Sequence, residues 1–176
     1  KLNLPETPLL LVEFHGTSDS VEGDATRFTD ICNDHSASPF HWSDDPDERK
    51  KLWKARHDAL WAAYALIPGA TGFATDVCVP ISRLADCIED TITDIEAAGL
   101  TAPIVGHVGD GNFHVLPLAM PDDIDMHHKI SEFSGRLTAR SLKLGGTCTG
   151  EHGIGQGKSI YLRDEMGEAV ELMNDI

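Results

Sequence analysis

Gly106-His107-Val108-Gly109-Asp110-Gly111-Asn112-Phe113-His114 is the stretch that decides the fold. Asp-Gly is a preferred pair for a two-residue type I′ turn, and such a turn joins antiparallel strands. With Asp110 and Gly111 in the turn, Gly109 pairs with Asn112, Val108 with Phe113 and His107 with His114. Directly opposed residues hold their Cβ atoms ~4.5–5.5 Å apart. Two imidazoles at that spacing can both reach one ion at ~2.0–2.1 Å. Strand alternation puts Asn112 on the histidine face and sends Val108 and Phe113 to the other face, into the core. A histidine pair satisfied by ordinary hydrogen bonds fits the same pattern, so metal binding needs a third ligand from elsewhere.

Working outward, Leu9 to Phe14 reads as a strand and Asp19 to Asn33 as a helix. A short strand is expected at Phe40–Trp42. Pro46 opens a helix capped by Ser43 or Asp44 and running to about Leu66, with Trp53, Leu60, Trp61 and Tyr64 on one apolar face. Ala74 to Val79 reads as a strand. Ile81, Leu84, Ile88, Ile92 and Ile95 have helical spacing, closed by Gly99. Pro103 to Val108 and Phe113 to Leu118 are strands, and Asp123 to Leu144 is a helix with Met126, Ile130, Phe133 and Leu137 inward. Strands separated by helices would suit a parallel sheet, but the Asp110-Gly111 turn requires an antiparallel pair. The expected fold is α+β: ferredoxin-like, a mostly antiparallel sheet with helices packed on one face.

The 176 residues suit one domain, 1–176, with a real core, and the 41% apolar share is that of a globular chain. A formal net charge of −15 excludes a basic nucleic-acid surface and docking on anionic lipid. An anionic substrate would need local positive charge on so acidic a chain, from Arg or a metal. No apolar run approaches the ~20 residues of a membrane helix. Cys32, Cys78, Cys87 and Cys148 form no C-x-x-C pair and read as reduced thiols of an intracellular protein. Lys1 is not a Met start and Met166 to Ile176 reads as an uncapped helix, so the chain is expected to be a fragment.

The candidate third ligand lies in Gly145-Gly146-Thr147-Cys148-Thr149-Gly150-Glu151-His152-Gly153-Ile154-Gly155-Gln156-Gly157-Lys158. Glycines on both sides of Glu151-His152 let the backbone approach a ligand closely. A solvated surface loop fits the same composition. Gly157-Lys158-Ser159 matches the tail of a P-loop, but the head glycine would fall at His152, and no G-x-G-x-x-G occurs. His107, His114 and Glu151 make a two-histidine, one-carboxylate set that leaves coordination positions open, as a catalytic metal requires. His152 would stand beside it as a general base.

G-H-V-G-D-G-N-F-H at 106–114 and G-T-C-T-G-E-H-G-I-G at 146–155 resemble the paired signatures of the FAD-linked oxidase C-terminal domain, of the vanillyl-alcohol-oxidase type of flavoproteins. Leu52-Trp53-Lys54-Ala55-Arg56 and Thr75-Asp76-Val77-Cys78-Val79-Pro80 also resemble family segments, most closely those of D-lactate dehydrogenases. The similarity spans roughly residues 45 to 165. It implies that His107, His114 and Glu151 are metal ligands, His152 the catalytic base, Asn112 a substrate contact and Arg56 the grip on the substrate carboxylate. Without it, Arg56 reads as a solvated helix residue. Members that take dicarboxylates carry a Lys in the segment before Asp76. Here Gly72-Phe73-Ala74-Thr75 has none, which favours a short monocarboxylate such as D-lactate.

The resemblance implies an FAD-dependent oxidoreductase acting on the CH-OH group of a small 2-hydroxy acid. FAD would be bound mainly by a region that this sequence does not contain, and residues contacting it here are not identified. The divalent metal would be zinc, manganese or iron, and the electron acceptor a protein or a quinone. The resemblance allows a homodimer and involves no nucleic acid. The expected place is the cytoplasm or membrane periphery in a bacterium and the mitochondrion in a eukaryote. Two alternatives use the same residues: a metal-dependent hydrolase, and a non-catalytic metal-binding module of ferredoxin-like fold. A yellow chromophore in the intact gene product separates the first from an FAD enzyme.

Overall fold

A computed structural model of the chain describes residues 7–37 and 42–176. It divides into two compact units, residues 1–58 and 59–176. Among the described residues of the first unit, helix α1 (Ser18–Asp34) is capped by Thr17, whose hydroxyl accepts from the Ser20 amide. Helix α2 (Pro46–His57) is capped by Asp45, next to the expected Ser43 or Asp44; its carboxylate accepts from Asp47 N at 2.8 Å. Leu9 to Phe14 forms no strand among the described residues. Instead Phe14 packs edge-on against Phe28, and Glu13 accepts a 2.7 Å hydrogen bond from Trp53 Nε1. These side-chain anchors take the place of a ladder. Most of the strand expected at Phe40–Trp42 lies outside the described residues.

The single helix expected from Pro46 to Leu66 is two. The chain leaves α2 at Asp58 and resumes as α3 (Ala59–Tyr64), the first element of the second unit. Trp61 and Leu60 are exposed on α3. The apolar face read across the break therefore belongs to no single helix.

In the second unit, strand β1 (Thr71–Gly72) pairs with β5 (Leu118–Ala119), and β2 (Val77–Cys78) with β4 (Asn112–Val115). Both pairings are antiparallel and share one register, bridged by Phe73 N to Pro117 O and Thr75 N to Val115 O. The ladder breaks at Thr75 because Val115 N bonds the Thr75 hydroxyl, at 2.9 Å. The expected strand Ala74–Val79 is thus shortened to β2 and Phe113–Leu118 is split between β4 and β5, and the Thr75 carbonyl is released for another partner.

Strand β3 (Ile104–His107) lies on the far side of β4, giving the order β2-β4-β3. A single antiparallel bridge sets Thr147 against Cys78 on the open side of β2. Helix α4 (Leu84–Ala98) joins β2 to β3 and ends at Gly99 in the left-handed region. Helix α5 (Ile124–Lys143), capped by Asp123, leads from β5 to Thr147. With the isolated Thr147 bridge standing where a last strand would be, this follows the β-α-β-β-α-β order of the expected α+β class. Ile130, Phe133 and Leu137 on α5 and Leu84 and Cys87 on α4 pack with Val77, Phe113 and Val115 into one core. The helices therefore cover the Phe113 face of the sheet and leave the Asn112–His114 face for chemistry. Helix α7 (Ala169–Asp175) forms within the helix expected over Met166 to Ile176, and a short helix, α6 (Leu162–Met166), precedes it across Gly167. No helix among the described residues is long and apolar enough to cross a membrane.

Candidate metal centre

The hairpin register differs from the expected one. His107 lies opposite Asn112, Gly106 opposite Phe113 and Val105 opposite His114. Val108–Asp110 form a 3-10 turn and Gly111 is left-handed at φ 77°, so the connection has four residues instead of two. Gly111 O accepts from Val79 N at 3.0 Å, and a Cβ on Gly111 would lie 2.0 Å from Val79 O. Docking of the turn on Val79 selects the longer loop, and Val108 sits half-exposed in it instead of in the core. The slip keeps parity: His107, Asn112 and His114 still share one face. The histidines are diagonal neighbours with ring centroids 6.4 Å apart, not directly opposed.

Glu151 joins them. Its Oε1 is 2.8 Å from His114 Nε2 and 3.8 Å from His107 Nε2. One donor atom from each of the three lies within 4.8 Å of the others. Tetrahedral ligation at ~2.0–2.1 Å sets ligand atoms ~3.3–3.4 Å apart. The two carboxylate–imidazole distances bracket that value, so the donor set fits a small divalent cation. His114 is also oriented as a ligand should be. Its Nδ1 lies 3.1 Å from the released Thr75 carbonyl, an acceptor only, so Nδ1 carries the proton and Nε2 faces Glu151. His114 floors the site with its side chain 12% exposed, whereas Glu151 is 49% exposed. His152 Nε2 stands 3.6 Å from Glu151 Oε1, and its ring meets that of His114 edge-on at 5.0 Å.

Asp76, whose role the sequence did not reveal, ties these parts together. It is 2% exposed. Its Oδ2 accepts from Thr149 Oγ1 at 2.8 Å and from the amides of Gly150, Glu151 and His152 at 2.9, 3.0 and 2.9 Å. Its Oδ1 accepts from Asn112 Nδ2 at 2.8 Å. Burial pushes this carboxyl up, but the hydrogen bonds from His152 N, Thr149, Asn112 and Glu151 N outweigh it and hold the group well below the ordinary carboxylate range. Lys158 Nζ donates to the Asp76 carbonyl at 2.7 Å and lies 3.7 Å from Oδ2. The lysine of the failed P-loop motif is therefore a structural counter-charge. The signal available in the sequence was an acidic residue inside an apolar strand run, which has to be neutralised.

Asn112 is buried, and its amide nitrogen is spent on Asp76 and the Val77 carbonyl; its Oδ1 has no partner. Arg56 lies in the last turn of α2, in the first unit. The cysteines are free thiols. Burial, with Glu165 beside it, pushes Cys148 up to about 11, so this thiol fills space instead of acting as a nucleophile.

The chain is 48% identical over 176 residues to "Probable D-lactate dehydrogenase, mitochondrial" of Danio rerio, covering 99% of this chain and 35% of the relative. It is 38% identical to "D-lactate dehydrogenase [cytochrome], mitochondrial" of Arabidopsis thaliana, covering 99% and 31%. It is 32% identical to "Glycolate oxidase subunit GlcD" of Bacillus subtilis, covering 92% and 34%. The chain thus spans about a third of the length of these curated relatives. Residues 1–176 match the family described as "FAD linked oxidases, C-terminal domain", and the chain belongs to that family.

Proposed function

We propose that this chain is the metal-bearing, substrate-facing part of an FAD-dependent oxidoreductase that converts a short D-2-hydroxy acid, such as D-lactate, to the 2-oxo acid. The convergence of His107, His114 and Glu151 carries the proposal, because two imidazoles and a carboxylate with open positions suit a cation that also binds substrate. The names of the relatives, D-lactate dehydrogenases and a glycolate oxidase subunit, support the substrate class. The whole of residues 1–176 is taken as one family domain, and zinc, manganese or iron as its metal.

Bound here, a divalent cation supplies Lewis acidity toward a 2-hydroxyl, and FAD supplies the hydride acceptor. The chain's own side chains do the rest. His152, next to Glu151 and half-exposed, takes the hydroxyl proton. Arg56 pairs with the substrate carboxylate, a role that rests on the resemblance; a planar guanidinium suits that group better than Lys. Asn112 contacts the substrate, a role that also rests on the resemblance; its Oδ1 is buried and unpartnered. A protein or quinone would then reoxidise the flavin. A small anion is drawn to an acidic chain only where positive charge is concentrated, and the cation site provides that. In a eukaryote the mitochondrion is the proposed location, as the names of the two D-lactate dehydrogenases suggest for those proteins.

His152→Ala in the intact gene product is expected to lower D-lactate turnover ~10²-fold or more while metal content stays unchanged. Equal turnover in variant and wild type would refute the base assignment. A colourless, flavin-free gene product would favour the hydrolase instead.

A further inference from the structure

We propose that Asp76 is the positioning residue of this centre: its carboxylate holds Glu151 and His152 in place, and Lys158 is the clasp that keeps the loop on it. The inference rests on the cation site proposed above and extends it to residues that touch neither cation nor substrate.

The loop from Gly145 to Lys158 has no regular structure of its own around Glu151. Left free, a glycine-rich segment would sample many positions and hold a ligand poorly. Its entry is tied to β2, with Thr147 N donating to Cys78 O at 2.8 Å, and to α5, with Ser141 Oγ donating to Thr147 O at 2.9 Å. Its exit is tied by Lys158 to the Asp76 carbonyl. Between these ties, three successive amides and one hydroxyl converge on Asp76 Oδ2. Successive backbone N–H groups around one anion form a nest; here the anion belongs to the protein itself. The same carboxylate reaches β4 through Asn112, and Oδ1 is 3.6 Å from His114 Nδ1. Asp76 therefore touches both ligand-bearing segments, and the preceding residue, Thr75, orients the His114 ring. The loop is drawn in so closely that a Cβ on Gly150 would lie 1.8 Å from Asn112 Nδ2.

The test is a calorimetric titration of metal-stripped, intact gene product with Zn2+, run beside circular dichroism and the flavin spectrum. Wild type is expected to bind one Zn2+, and Glu151→Gln to lose it. Asp76→Asn keeps the size of the side chain but sets an NH2 against Asn112 Nδ2 or against the loop amides. It is expected to weaken Zn2+ binding ~10–100-fold with the flavin spectrum unchanged, the usual scale for a residue behind a ligand. Asp76→Asn binding Zn2+ like wild type overturns the positioning role; wild type binding no Zn2+ overturns the cation site beneath it. Should circular dichroism show Asp76→Asn unfolded, Thr149→Val, which removes one donor to Oδ2 and leaves no unpaired charge, is read instead. A several-fold loss supports the proposal, and unchanged affinity overturns it.

Discussion

Gly150 shows how tightly single residues are constrained in this centre. An alanine there would put a methyl group 1.8 Å from Asn112 Nδ2 and 2.9 Å from Asp76 Oδ1, both buried atoms that cannot retreat. We expect Gly150→Ala to cost about 1–3 kcal/mol, the usual range for overpacking, measurable by chemical denaturation. Unchanged stability would mean that the loop does not sit against Asn112. His107, His114, Glu151 and His152 were legible in the sequence because few residue types do their chemistry and glycines frame them. Asp76 was not, because the four donors to its Oδ2 lie 73 to 76 residues along the chain and three of them are backbone amides, which leave no trace in residue type.

Among the elements, α4 and α5 are joined by a charge cluster that helical periodicity does not reveal. Arg136 and Arg140 donate to Asp94, at 2.7 and 3.0 Å, from the neighbouring helix. Burial pushes the Asp94 carboxyl up, but the hydrogen bonds and charges of Arg136 and Arg140 outweigh it and hold it below its ordinary value of 3.8. A group depressed in the folded state stabilises the fold fully above its unfolded pKa, and that contribution fades as pH falls toward the lower folded value. Stability measured from neutral pH into the acid range should therefore fall more steeply in wild type than in Asp94→Asn. Parallel curves would contradict the linkage. The hairpin gives the same lesson about reading elements. Asp110-Gly111 suits both a two-residue and a four-residue connection. The choice was made by a hydrogen bond to Val79, 32 residues away in the chain, which local turn chemistry cannot register. The shared face of His107, Asn112 and His114 survived because the slip was even, whereas Val108 left the core for the loop.

For the whole molecule, the antiparallel α+β class followed from one turn and two periodic helices: Met126, Ile130, Phe133 and Leu137 on α5 and Leu84, Ile88 and Ile95 on α4 face the core as expected, whereas Ile92 is exposed and Ile81 lies exposed in the turn before α4. The division at Asp58 was not legible, since the residues on either side carry one continuous helical pattern. The net charge of −15 made a local positive group a requirement before any site was known, and the two-histidine, one-carboxylate cluster is where that requirement can be met. The most direct check is an anomalous difference map from crystals of the intact gene product, recorded above the absorption edge of the metal found by elemental analysis. One peak is expected at ~2.0–2.2 Å from a ring nitrogen of His107, a ring nitrogen of His114 and an oxygen of Glu151. An intact fold in a fully metallated crystal with its peak elsewhere, and Glu151 turned away from both imidazoles, would contradict it.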